Sequence, residues 1–163
     1  MRVRGRLKFS ADAVDFFSAD AALRPRRNGI VLHGILSSVI VPGDLPGAVE
    51  AAFSRGDLDR AQAGDAQELL AARIAAHPEW FPAGGAQVLA ETTLIDTDGQ
   101  EYRPDRVVIR DGRVTVIDYK FGAERPAYAR QVARYADIYR RMGYAQVDTV
   151  LWYVPSDRTV RGS

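Results

Sequence analysis

Polar and apolar positions along this chain change period near its middle. Residues 29–41, GIVLHGILSSVIV, are apolar almost all round, which predicts a buried helix rather than a surface one. Asp44 then stands as the cap of a helix running through Ala48, Ala51 and Ala52 to a stop at Gly56. A third helix is predicted over 66–76, amphipathic through Leu69, Leu70 and Ile74 and ended by Pro78. Upstream, Ser10 could cap a short helix over 11–17, and Arg24-Pro25-Arg26-Arg27 reads as a basic connector. Strand character takes over at 87–95, QVLAETTLI, with Asp98-Gly99 as a turn into the next strand. A helix is predicted over 126–142, with Pro126 in its first turn and Gly143 as its stop. QVDTVLWYV, 146–154, is apolar enough for a central strand. Helices followed by β-β-β-α-β predict an α/β fold with a mixed sheet flanked by helices.

The most informative stretch is RPDRVVIRDGRVTVIDYK, 103–120. Val107-Val108-Ile109 and Val114-Thr115-Val116-Ile117 are β-branched runs about Asp111-Gly112, the dipeptide favoured by a two-residue type I′ turn. Arg110 then pairs with Arg113, paired numbers sum to 223, and Asp105 lies opposite Asp118. Strand period 2 puts Lys120 on the face of Asp118, beside an apolar layer of Val107, Ile109, Val114 and Val116. Like charges directly opposite are destabilising, and a divalent cation between them would remove the repulsion.

Composition narrows the classes. At 163 residues, 47% hydrophobic and 26% charged, the chain has the size and make-up of one globular domain. No run of 18 apolar residues suits a membrane span, and no apolar stretch of signal-peptide type follows the basic N-terminus. The absence of cysteine excludes disulfides, thiolate zinc and iron–sulfur clusters, and fits a cytoplasmic home. A net charge of +1 hides basic ends around an acidic middle, a distribution compatible with phosphate contact or with a solvated surface. Of 22 basic residues only Lys8 and Lys120 are lysine, so the ammonium two residues after Asp118 stands out.

Other candidates are less distinct alone. Gln131 and Tyr135, spaced i, i+4, share a helix face, although Tyr135 would also pack on the sheet with Val132 and Tyr139. His33 lies on an apolar helix, where a core histidine is the ordinary reading; Gly29, one turn earlier, permits close approach. His77, beside Pro78, reads as structural, and Glu91 is the best further carboxylate. A two-residue turn at Asp98-Gly99 would set paired numbers to 197 and face Thr92, not Glu91, to Asp105; a bulge near Pro104 would restore Glu91.

In this order GIVLH, a downstream Glu, RPD, DYK and QVARY resemble the nuclease domain of RecB-like helicase–nucleases, within the PD-(D/E)XK superfamily. IDYKFG followed by Q-x-x-x-Y is the specific part; the likeness extends over roughly residues 10–154 and is strongest to domains at the C-terminus of UvrD/Rep-type helicases. It implies a restriction-endonuclease-like core and a Mg²⁺- or Mn²⁺-dependent phosphodiesterase acting on DNA, an exonuclease or end-processing nuclease of recombination and repair. By the same resemblance Asp105, Asp118, the Tyr119 carbonyl and His33 would hold metal, with Glu91 at a second ion or its waters. Lys120 would position the attacking water, and Gln131 and Tyr135 would steady the lysine and touch the DNA. Phosphate contacts are expected from Arg24, Arg26, Arg27, Arg130 and Arg134. No G-x-x-x-x-G-K-[ST] phosphate loop is present, so the expectation is one nuclease domain, 1–163, cut from a larger helicase chain or working with a separate motor. A catalytically silent DNA-binding module, or a junction resolvase on the same fold, are the rival readings.

Overall fold

The computed structural model describes residues 24–163; the helix expected over 11–17 lies outside them. In chain order the elements are α1 (Arg24–Ser37), a 3₁₀ turn (Pro42–Asp44), α2 (Leu45–Ser54), α3 (Arg60–Ala76), β1 (Gln87–Ala90), β2 (Leu94–Ile95) and β3 (Glu101–Tyr102). There follow β4 (Arg106–Arg110), β5 (Arg113–Lys120), α4 (Pro126–Arg141), β6 (Gln146–Tyr153) and β7 (Arg158–Gly162). Five strands form one mixed sheet in the order β1-β4-β5-β6-β7, while β2 and β3 make a separate hairpin. Only β5 and β6 are parallel, joined by the crossover helix α4. The expected β-β-β-α-β order therefore stands, with its first two strands each broken in two and one strand, β7, added.

Helices cover both faces. On one, Leu32, Ile35 and Leu36 of α1 pack with α2, α3, Trp80 and Phe81 against Val108, Ile117, Tyr119 and Trp152. On the other, Val132, Tyr135 and Tyr139 of α4 pack against Val107, Val114, Val116 and Leu151. Strand period 2 deals alternate residues of β5 to the two layers, and β6 is interior, as its apolar run requires. The face shared by Val107, Val114 and Val116 is the one anticipated for Asp105 and Asp118.

Several boundaries differ from the sequence expectation. The Arg24–Arg27 stretch is the first turn of α1, where Pro25 fits because the first helical N–H groups need no partner. That helix ends at Ser37 and is buried on one side only, with Ile30 exposed. Asp44 precedes α2, but its carboxylate turns back to the backbone N–H groups of Ile40 and Val41. α3 begins six residues earlier than its apolar spacing indicates, because Asp59 and Gln62 form a reciprocal capping box.

One side chain joins these parts. Arg106 is fully buried, and its guanidinium donates to the carbonyls of Trp80 (2.7 Å), Val39 (2.6 Å) and Ile40 (2.6 Å) while lying 4.0 Å over the Phe81 ring. It fixes the segments after α1 and before β1 to the strand that carries Asp105. At the far side His77 stacks on Trp80 at 3.8 Å and bonds Asp157 at 2.6 Å, the structural role its place at a helix end suggests.

Candidate metal centre and active site

The hairpin forms in the anticipated register. Arg110 pairs with Arg113 and Arg106 with Ile117, and Asp111 and Gly112 both have positive φ (49° and 75°), as a type I′ turn demands. Continued one step, the register sets Asp105 across from Asp118. Both are buried, at 8% and 4% exposure.

Glu91 joins them through a turn that differs from the expected one. Asp96 N–H bonds the Gln100 carbonyl and Gly99 N–H the Asp96 carbonyl, so residues 97–99 form a three-residue loop with Gly99 at φ +78°. The extra residue lowers the pairing sum to 196, which pairs Ala90 with Arg106 and Leu94 with Tyr102. Glu91, not Thr92, therefore faces Asp105, and its N–H bonds the Asp105 carbonyl at 3.1 Å. No bulge near Pro104 is needed. Glu91 itself sits at φ +52° and breaks the strand expected to run through 87–95.

His33 reaches the same point from the other layer. Gly29 makes this possible: a Cβ there would meet Cβ of Phe121 at 3.1 Å, so only glycine lets α1 lie this close to the end of β5. The imidazole Nε2 lies 2.8 Å from Oδ1 of Asp105, and Nδ1 lies 3.9 Å from Oε1 of Glu91. Ser37, one turn on, donates to Oε1 of Glu91 (3.1 Å) and sits 3.4 Å from Nδ1 of His33. The second oxygen of Asp105 accepts from the Tyr119 N–H at 2.6 Å, and strand geometry turns the Tyr119 carbonyl to that same side. The Tyr119 ring points into the opposite core, edge-on to His33 and Trp152.

Asp118 and Lys120 complete the cluster. Nζ of Lys120 lies 2.5 Å from Oδ2 of Asp118 and 3.9 Å over the ring of Tyr128. Burial, then the charge of the facing Asp105, push the Asp118 carboxyl up to about 7 against the opposing pull of Lys120. Its Oδ2 is nonetheless buried without an aligned hydrogen bond. The His33 imidazole is raised above its ordinary value by the bond to Asp105, with burial opposing and the charges of Asp105, Glu91 and Asp118 assisting.

These features fit a divalent cation. His33, Glu91 and Asp105 each offer a ligand atom, all within 4.8 Å of one another. Asp118 stands outside that group of three, its Oδ2 held by Nζ of Lys120; carboxylate oxygens suit Mg²⁺ while the histidine also suits Mn²⁺.

The remaining sequence candidates fall in two groups. Gln131 donates to the Tyr135 hydroxyl at 2.9 Å; that phenol, pushed up to about 12 by burial and then by the charge of Asp118, lies next to the carboxylates. The ring beneath the ammonium is Tyr128 rather than Tyr135. Arg130 and Arg134 are exposed on α4, Arg27 is exposed on the first turn of α1, and Arg24 and Arg26 belong to that same turn. Arg103, which lies 3.7 Å from Glu91, opens the RPD stretch, whereas Ser37 and Tyr128 carry no motif that marks them in the sequence. Only the i, i+4 spacing of Ser37 from His33 was there to be read.

A mixed sheet with helices on both faces, bearing acidic side chains and a lysine at the end of its central hairpin, is that of a restriction-endonuclease-like α/β fold. The chain belongs to the PD-(D/E)XK nuclease superfamily, which it matches over residues 4–162. Comparison with curated proteins gives no match. Nucleases of this superfamily depend on divalent metal, in keeping with the His33–Glu91–Asp105 cluster.

Proposed function

We propose that this protein is a Mg²⁺- or Mn²⁺-dependent DNA nuclease, an exonuclease or end-processing enzyme of recombination and repair. The observation that carries the reading is the convergence of His33, Glu91 and Asp105 from three separate parts of the chain, beside the Asp118–Lys120 pair at the end of the central hairpin. Three carboxylates gathered around one imidazole and one ammonium make a donor set that a divalent cation would complete.

Each residue takes a role from its surroundings. Asp105 and Asp118, with Glu91, His33 and the Tyr119 carbonyl, would hold the metal, which would supply Lewis-acid activation of the phosphoryl oxygen and of bound water. His33 would offer the cation one neutral imidazole nitrogen. Lys120 orients the attacking water and offsets charge on the pentavalent phosphate; Asp118 and the Tyr128 ring hold its ammonium in place. Tyr135 and Gln131 form a paired polar edge beside the carboxylates, suited to the DNA backbone. Arg27, Arg130 and Arg134, with Arg24 and Arg26, supply phosphate contacts that do not read sequence. With no phosphate loop in these 163 residues, a helicase motor elsewhere in the polypeptide or in a complex would deliver the strand.

Linear DNA incubated with Mn²⁺, with and without EDTA, tests this reading. Loss of DNA from its ends in Mn²⁺ alone is expected. Binding without degradation in Mg²⁺, Mn²⁺ and Co²⁺ would instead identify a silent DNA-binding module.

A further inference from the structure

A cleft of about 370 Å³ opens between the β2–β3 hairpin and α4, lined by Tyr102, Ala127, Arg130, Gln131 and Arg134. Among the described residues no carboxylate lines it. Its aromatic wall is set in place: the Tyr102 hydroxyl accepts from Nη1 of Arg134 at 2.9 Å, lies 3.3 Å from Oε1 of Gln100, and the ring meets Tyr135 edge-on at 6.1 Å. Arg134 uses one of its five N–H donors at Tyr102, leaving others for a ligand oxygen. Tyr102 precedes Asp105 by three residues, a reach of at most about 10 Å. One strand of nucleic acid advances roughly 3.4 Å per nucleotide, so the cleft lies within about three nucleotides of the carboxylates.

We infer that this cleft binds an unpaired nucleotide of the DNA strand being cut, its phosphate on Arg130 and Arg134 and its base against Tyr102. The inference rests on the nuclease reading and extends it to the form of the substrate. Two arginines alone would take phosphate from single strand or duplex alike. An aromatic ring beside them changes the selection, because a base offers its face to a protein side chain only when it is out of the paired stack. Arg134 bridges both functions, since the guanidinium that meets the phosphate also fixes the tyrosine.

Fluorescence anisotropy in EDTA, where cleavage cannot proceed, separates the cases. The probes are a labelled 20-nucleotide oligothymidylate and a blunt hairpin duplex, each titrated with wild type, Tyr102→Leu, Tyr102→Phe and Arg130→Ala. Tyr102→Leu should weaken single-strand binding about tenfold and leave duplex binding within twofold. Tyr102→Phe, which keeps the ring, should stay near wild type and controls for folding. Arg130→Ala should weaken both probes. Equal loss on both probes for Tyr102→Leu, or no loss on either, would overturn the inference. Cleavage of the same oligonucleotide by wild type in Mn²⁺ keeps the two claims apart. Absence of cleavage with a Tyr102 effect defeats the nuclease reading alone, and cleavage with no Tyr102 effect defeats the cleft alone.

Discussion

Lys120 stands 2.5 Å from Asp118, yet that carboxyl remains raised, so burial and the facing Asp105 outweigh the ion pair. On the proposed reading the ammonium acts on the reacting water and phosphate. Lys120→Ala should keep its fold and its Mn²⁺ affinity while kcat falls about 10²–10³-fold, the usual effect of removing one donor to developing charge. Calorimetric Mn²⁺ titration beside a cleavage assay checks both halves; an affinity loss as large as that of an aspartate variant would contradict the assignment. Ser37 makes the opposite case. Its hydroxyl bonds Glu91 and lies by Nδ1 of His33, so on the proposed reading it would orient both ligands without touching the cation. Ser37→Ala should lower Mn²⁺ affinity about tenfold, as loss of outer-shell partners does, and Ser37→Thr should restore most of it. Unchanged affinity in the alanine variant would reduce Ser37 to a helix hydroxyl.

Among the elements, α1 and the β4–β5 hairpin must meet closely for His33 to reach Asp105, and Gly29 against Phe121 sets that distance. Gly29→Ala should leave thermal stability nearly unchanged, since better helix propensity, about 1 kcal/mol, offsets the crowding. The added methyl forces α1 outward by a few tenths of an ångström, and Mn²⁺ affinity should fall severalfold although no ligand is altered. Metal titration and melts of that variant check the pair of effects. The hairpin was legible in the sequence because Asp-Gly between β-branched runs specifies both turn and register. Thr97-Asp98-Gly99 was not, since the same Asp-Gly serves a two- or a three-residue loop, and that one-residue choice decides whether Glu91 or Thr92 faces the site. Arg158–Gly162 has only Thr159 and Val160 as strand formers; its pairing with β6 makes it a strand. Arg24–Arg27 shows charge but no apolar period, so a helix that starts there is invisible. Ser37 and Tyr128 gain their positions only when the layers assemble.

At the scale of the whole molecule, the site lies where two layers meet at one edge of the sheet. His33 comes from the α1 side, and strand period 2 puts Asp118 and Lys120 on the α4 face with Val114 and Val116. A cation there would bind elements that otherwise repel through their carboxylates. The metal-free protein should therefore carry a pH signature. Asp118 is raised from an ordinary carboxylate value to about 7 on folding. Between those values the native state holds a proton that the unfolded state has lost, so stability falls as pH rises toward 7 and stays lower above it. Asp118→Asn keeps the shape and removes this dependence. Thermal melts of wild type and Asp118→Asn at pH 8, each in EDTA and in millimolar Mn²⁺, test the central claim most directly. In EDTA the variant should melt at or above wild type, by on the order of 1 kcal/mol. In Mn²⁺ the order should reverse, because the wild type gains the linkage stabilisation of a native-state ligand, about 2.7 kcal/mol at 100 times Kd. A variant less stable than wild type in both buffers, with no wild-type shift in Mn²⁺, would mean that Asp118 serves its ion pair with Lys120 and that no metal belongs at this edge.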